Sequence, residues 1–208
     1  MVEKPYEWAN GVELEDHTKR KHKILREYFS QYLTVRCQHP QQEKFRLAVI
    51  DGFAGGGRYK CGAAGSPIIF IEEIRKTIDT INIRRAAQGL GVIQIECLFV
   101  FNDATLGVTE ILKSNVTPLL AEAKENAREL HIRVEYMTEP FEEAYQKIRQ
   151  LLALGRFGNV LFNLDQCGHS HVERKTLVDI IRSYPHAEIF YTFFIKALIT
   201  FLPKSERK

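Results

Sequence analysis

Apolar positions along the chain fall into two alternating rhythms. Between residues 16 and 36, Ile24, Leu25, Tyr28, Phe29, Tyr32 and Leu33 recur at helical spacing and make one apolar arc, which predicts an amphipathic helix. The proline and glutamines of CQHPQQEK end it. After that, short apolar runs alternate with longer amphipathic ones. FRLAVID, IECLFVFND, IRVEYMT, GNVLFNLD and AEIFYTFFI read as strands. SPIIFIEEIRKTIDTINIRRAAQ reads as a helix with Ser66 as N-cap and Pro67 at the first position. ATLGVTEILKSNVTPLLAEAKENAREL reads as a helix broken near Pro118, and PFEEAYQKIRQLLAL and VERKTLVDIIRSY as two more.

Buried strands separated by helices imply an α/β fold with a doubly wound, mainly parallel sheet of Rossmann-like type. The expected organisation is a single domain, with the helix over 16–36 leading into an α/β core over 45–195 that is cut short after the fifth strand. Residues 1–15 read as loosely structured. The length of 208 residues and the 45% apolar content suit one core. No apolar run is long enough to span a membrane, and the charged start lacks a secretion signal. Four cysteines without a CxxC pair suit a reduced, cytoplasmic protein. A net charge of +3 does not by itself argue for nucleic acid.

Ligands of doubly wound sheets sit beyond the carboxyl ends of the strands, so DGFAGGGRY after the first strand is the place to seek chemistry. A phosphate loop needs a lysine and a hydroxyl after its last glycine, and Arg58 and Tyr59 stand there instead. A dinucleotide turn needs a third glycine where Lys60 stands. S-adenosylmethionine requires close backbone approach and a carboxylate for its ammonium or ribose. Asp51, Gly52, Phe53, Ala54, Gly55 and Gly57 supply that combination, and a purely structural turn is the plain alternative. At the next strand ends, Asp103 is placed for the ribose hydroxyls and Glu139 for the adenine edge, although a helix-start acid would look the same. Asp165, followed by Gln166, lies where the methyl would be presented. His17 and Lys21 fall four apart on the apolar arc of the first helix and are expected to face the pocket. Arg58 and Lys60 are candidates for meeting an anionic substrate. CGHSH offers Cys167, His169 and His171 as metal-ligand types without a second cluster, so no metal is expected. Cys167 also suggests a nucleophile, but the Pro-Cys pair usual for that chemistry is absent.

HTKRKHKILREYF, VIDGFAGGGRY, GSPIIFIEEI and NVLFNLDQCG together resemble the three-Cys-motif partner protein family over about residues 16–170. The resemblance implies a Rossmann-like, S-adenosylmethionine-dependent methyltransferase working beside a separate three-cysteine-motif protein, with Asp51, the glycine turn, Asp103 and Asp165 as its site. Two departures stand out. The family's Asp-Pro-aromatic-Gly motif is Asp165-Gln166-Cys167-Gly168 here, which removes the usual clamp for a planar amine. Family members also carry further strands. The acceptor expected first is a nucleic acid. The alternative is a non-catalytic partner or regulatory protein that keeps the fold.

Overall fold

A computed structural model describes residues 7–165 and 172–192. Its element order is α1 (Asp16–Arg36), β1 (Lys44–Asp51), α2 (Ser66–Ala87), β2 (Gln94–Asn102), α3 (Val108–Asn126), β3 (Leu130–Met137), α4 (Phe141–Gly155), β4 (Asn159–Leu164), α5 (Arg174–Ser183) and β5 (His186–Tyr191). A short 3₁₀ turn, Trp8–Asn10, precedes α1. The five strands form one all-parallel sheet in the order β3-β2-β1-β4-β5. The α/β, Rossmann-like doubly wound expectation therefore holds. No described helix is long and apolar enough to cross a membrane.

Strand register explains the layers. Leu47 and Val49 of β1 share one face with Phe99 and Phe101 of β2 and Leu161 of β4, where α1, α2 and α3 pack. Ala48 and Ile50 share the other face with Leu98, Val100, Val160 and Phe162, where α4 and α5 pack. The central strands are covered on both faces, and residues 47–50 of β1, 98–101 of β2 and 160–162 of β4 are continuous buried apolar runs, as parallel sheets require. β3 is an edge strand, and its residues alternate. Ile132, Val134 and Tyr136 meet the helical layer of α1–α3, while the opposite-facing His131 and Arg133 are exposed.

Strand order reverses between β1 and β4, since β1 leads through α2 to β2 on one side and β4 lies on the other. This switch point is where a doubly wound sheet leaves a crevice beyond its carboxyl ends.

Local differences from the sequence reading have physical reasons. Gly65, in extended conformation, occupies the cap position of α2, and Ser66 is already helical without a capping bond. Pro118 sits inside an unbroken α3, whose Leu112 and Val116 are fully buried against the core. Tertiary packing there outweighs the lost backbone bond. On α1, Ile24 is 55% exposed, and the buried stripe is Thr18, Leu25, Phe29, Tyr32 and Leu33. Residues 7–15, expected to be loose, run along the glycine turn instead. The backbone N–H of Lys60 donates to Val12 O at 2.8 Å, and Val12 is buried.

Candidate functional site

Asp51 is the last residue of β1 and is fully buried. The β register puts its side chain on the same sheet face as those of Asn163 and Asp165 from β4 and its end, and of Asp103 just after β2. Asp51 Oδ1 accepts a long bond from Phe53 N–H at 3.4 Å, and Oδ2 has no partner. Burial pushes the carboxyl up to about 7, and the like charge of Asp165 adds to this. Ser66, the Phe53 N–H and Asn163 draw it back down, although neither side chain reaches it in hydrogen-bonding geometry.

The turn over residues 52–57 is held from several sides. Gly52 N–H donates to Asn163 O at 3.0 Å, and Ala54 N–H to Asn102 O at 2.8 Å. Asn102 Nδ2 donates to both Gly52 O and Glu139 O, at 3.1 and 3.0 Å. Asn115 of α3 donates to Gly56 O at 2.8 Å. At Gly52 a Cβ would lie 2.8 Å from the Phe141 ring, and the Phe53 ring packs 5.8 Å from that same ring, centroid to centroid. Gly57 takes φ +82°, a conformation glycine adopts without strain.

Asp103 also serves this turn. Its Oδ2 accepts from Gly55 N–H at 3.0 Å and its Oδ1 from Thr105 N–H at 2.9 Å. Asp51 and Asp103 thus grip N–H groups two residues apart in one loop, and each oxygen of Asp103 keeps acceptor capacity for a hydroxyl. Glu139 pairs with Lys147 through Oε1, while its buried Oε2 has no partner.

Lys21 reaches from α1 to Asp165, with Nζ 2.8 and 2.6 Å from the two carboxylate oxygens. The pair is mostly covered, with side chains 22% and 23% exposed. Two residues 144 positions apart in sequence therefore meet at the end of β4. His17 does not join them. It lies in the first turn of α1, its side chain is 57% exposed, and it pairs with Glu15 at 3.1 Å. The histidine that turns inward is His22. Its ring sits 5.6 Å from that of Tyr59, and burial lowers its pKa to about 4, so it is neutral at physiological pH.

Arg58 and Lys60 are already engaged, Arg58 with Gly62 O at 3.0 Å and Lys60 with Glu13 at 3.0 Å. Neither points a free cation at the crevice. Gln166, Cys167, His169 and His171 lie outside the described residues. Among the described residues, no group of three or more histidine, cysteine or acidic side chains is gathered to hold a metal.

The sequence reading missed the polar atoms left alone at the tips. Four buried side-chain oxygens there have no hydrogen-bond partner: Asp51 Oδ2, Asn102 Oδ1, Asn163 Oδ1 and Glu139 Oε2. The described residues hold one more such atom, the Tyr32 hydroxyl on α1. Lone buried acceptors are uncommon; Asp51 Oδ2 and Asn163 Oδ1 lie at the β1–β4 switch point, and Asn102 Oδ1 and Glu139 Oε2 at the neighbouring ends of β2 and β3. The available signal was the asparagine that interrupts an apolar strand end in LFVFN and in VLFNL. Trp8 was missed as well. Its indole lies on the glycine turn, where a Cβ at Gly55 would come within 2.3 Å and one at Gly56 within 2.7 Å of the ring.

An open groove of about 880 Å³ lies elsewhere, at the amino ends of the strands, bordered by Arg46, Glu96, Lys124, His131 and Phe157. It shares no residue with the tip site, and the doubly wound topology gives it no catalytic precedent.

Family models, curated proteins and solved structures were compared with this chain, and none matches.

Proposed function

We propose that this protein binds S-adenosylmethionine across the tips of β1, β2 and β4 and transfers its methyl group. The observation that carries this reading is the unpartnered buried acceptors at the strand tips, Asp51 Oδ2 and Asn163 Oδ1 at the switch point foremost. Buried acceptors without donors call for a ligand rich in N–H and O–H groups, and an ammonium with ribose hydroxyls meets that need.

In this reading Asp51 holds the ammonium, and the lone pairs left on Asp103 take the ribose. Glu139 borders the base. The bound cofactor supplies an electrophilic methyl. Asp165 is the group placed to receive the acceptor's proton, with Lys21 fixing its carboxylate. Alignment of donor and acceptor and exclusion of water would provide most of the acceleration. A nucleic acid is the first acceptor to try, and a three-cysteine-motif protein the first partner.

One observation favours a second reading, a non-catalytic partner that keeps the fold. Both oxygens of Asp165 are engaged by the Lys21 ammonium, so this carboxylate already has an internal partner. Two measurements separate the readings. Thermal melts with S-adenosylmethionine, its demethylated product S-adenosylhomocysteine, adenosine and methionine should show stabilisation by the two complete nucleosides, by about 2.7 kcal/mol at a hundredfold excess over the dissociation constant. Transfer of a labelled methyl to bulk nucleic acid then supports the enzyme. Stabilisation without transfer leaves the enzyme reading open only for another acceptor, and no stabilisation by any of the four removes the cofactor reading and supports the partner.

A further inference from the structure

Two claimants need the surface of the glycine turn. A nucleoside cofactor needs it bare, so that its atoms can approach the backbone. In the structure the indole of Trp8 already lies there. A Cβ at Gly55 would lie 2.3 Å from Trp8 Cζ2, and one at Gly56 would lie 2.7 Å from Trp8 Cε3 and 3.3 Å from the Ile111 side chain on α3. The indole is thus wedged between the turn and the first turn of α3. Tyr59 continues this aromatic cover, 5.4 Å from the Trp8 ring and 5.6 Å from the His22 ring.

What holds the indole in place is slight. The segment carrying it has one buried side chain, Val12, and one backbone bond to the loop, from Lys60 N–H to Val12 O. Its ion pair between Glu13 and Lys60 is exposed on both sides and contributes little. None of the three residues of the 3₁₀ turn is buried. A segment with so few buried contacts opens at low free energy compared with the core.

We propose that residues 7–15 form a displaceable strap, in which Trp8 covers the glycine turn in the free protein and leaves it when a nucleoside ligand binds. The inference rests on the cofactor reading above and adds its regulation. Access to the site depends on the fraction of molecules with the strap open, and the apparent affinity is reduced by that fraction.

Trp8 is the only tryptophan in the chain, so its emission reports the strap directly. The test pairs two measurements. The first is the intrinsic fluorescence and acrylamide quenching of the wild-type protein titrated with S-adenosylhomocysteine. The second is calorimetry of the same ligand with the wild type and with Trp8→Ala, whose fold is checked by circular dichroism. The strap predicts a red shift and greater quenching as ligand binds, and affinity at least tenfold higher for Trp8→Ala. Equal or weaker binding by Trp8→Ala, or binding that leaves the emission unchanged, overturns the strap and leaves the cofactor reading standing. If neither protein binds, both fall, because removing the indole should have uncovered the turn. The fluorescence arm needs no variant, so a Trp8→Ala protein that fails to fold does not spare the proposal.

Discussion

Asp51→Asn is expected to make the protein more stable at pH 8 while abolishing its affinity for an ammonium-bearing nucleoside. The carboxyl is fully buried, one of its oxygens has no partner, and burial lifts its pKa from 3.8 to about 7. Because the folded value lies above the unfolded one, the stability contributed by protonated Asp51 is fully present below about pH 4. It is lost as pH rises through about 7. At pH 8 the native state therefore carries a buried, poorly paired charge whose cost is on the order of 4 kcal/mol at most. An asparagine has nearly the same shape and no charge. The melting-temperature difference between variant and wild type should be small at about pH 4, grow steadily through about pH 5 to 7, and level off at several degrees by about pH 8. A variant less stable than wild type at pH 8, or a difference independent of pH, would show that Asp51 is satisfied within the protein and awaits no cation.

The second large effect concerns Arg85, near the end of α2, which is 5% exposed. Its guanidinium donates to four carbonyls: Gly91 O at 2.7 Å, Gln42 O at 2.9 Å, His39 O at 3.1 Å and Pro40 O at 3.2 Å. It thereby joins the α1–β1 connection to the α2–β2 connection below the sheet. Arg85→Ala leaves several of these carbonyls without a donor and should lower stability by about 3–5 kcal/mol in urea unfolding. Arg85→Lys keeps the charge but loses the planar fork, and should recover only part of the loss. Ligand affinity, measured well below the melting temperature, should be unchanged in both, since Arg85 lies at the opposite end of the sheet from the tips.

The two variants divide the molecule. Arg85 is a polar group whose partners are all internal, and removing it weakens the frame. Asp51 is a polar group whose partners are incomplete, and neutralising it strengthens the frame at the expense of the site. Stored destabilisation of that kind is expected where a protein awaits a ligand.

Much of this frame was legible in the sequence because burial imposes a period. The arc on 16–36 gave α1 with the bounds found, and the apolar runs gave all five strands. The order of the strands was not legible beyond its class, because apolar runs carry no record of their neighbours. Within the site, Asp51, Asp103 and Lys21 were readable, since each follows from a strand end or a helical arc. His17 was misplaced for a geometric reason. It is one turn before Lys21 on the same arc, but in the first turn of α1, where its side chain is solvent-exposed and pairs with Glu15. His22 falls on the buried stripe of α1, between Thr18 and Leu25 at helical spacing, and was readable from it. Trp8 owes its position to the irregular strap over 7–15, which has no period to read. The unpartnered acceptors are likewise a property of packing, visible only once it is known which donors arrive.

The central claim is that Asp51, as a carboxylate, receives a cationic group of a nucleoside. Calorimetric titration of the wild-type protein with S-adenosylhomocysteine at pH 8 and pH 6, with adenosine as the uncharged control, tests it most directly. With a carboxyl titrating near 7, the account predicts about tenfold weaker binding of S-adenosylhomocysteine at pH 6 and no comparable loss for adenosine. Absence of binding at both pH values, or an S-adenosylhomocysteine affinity that does not change between them, would contradict it.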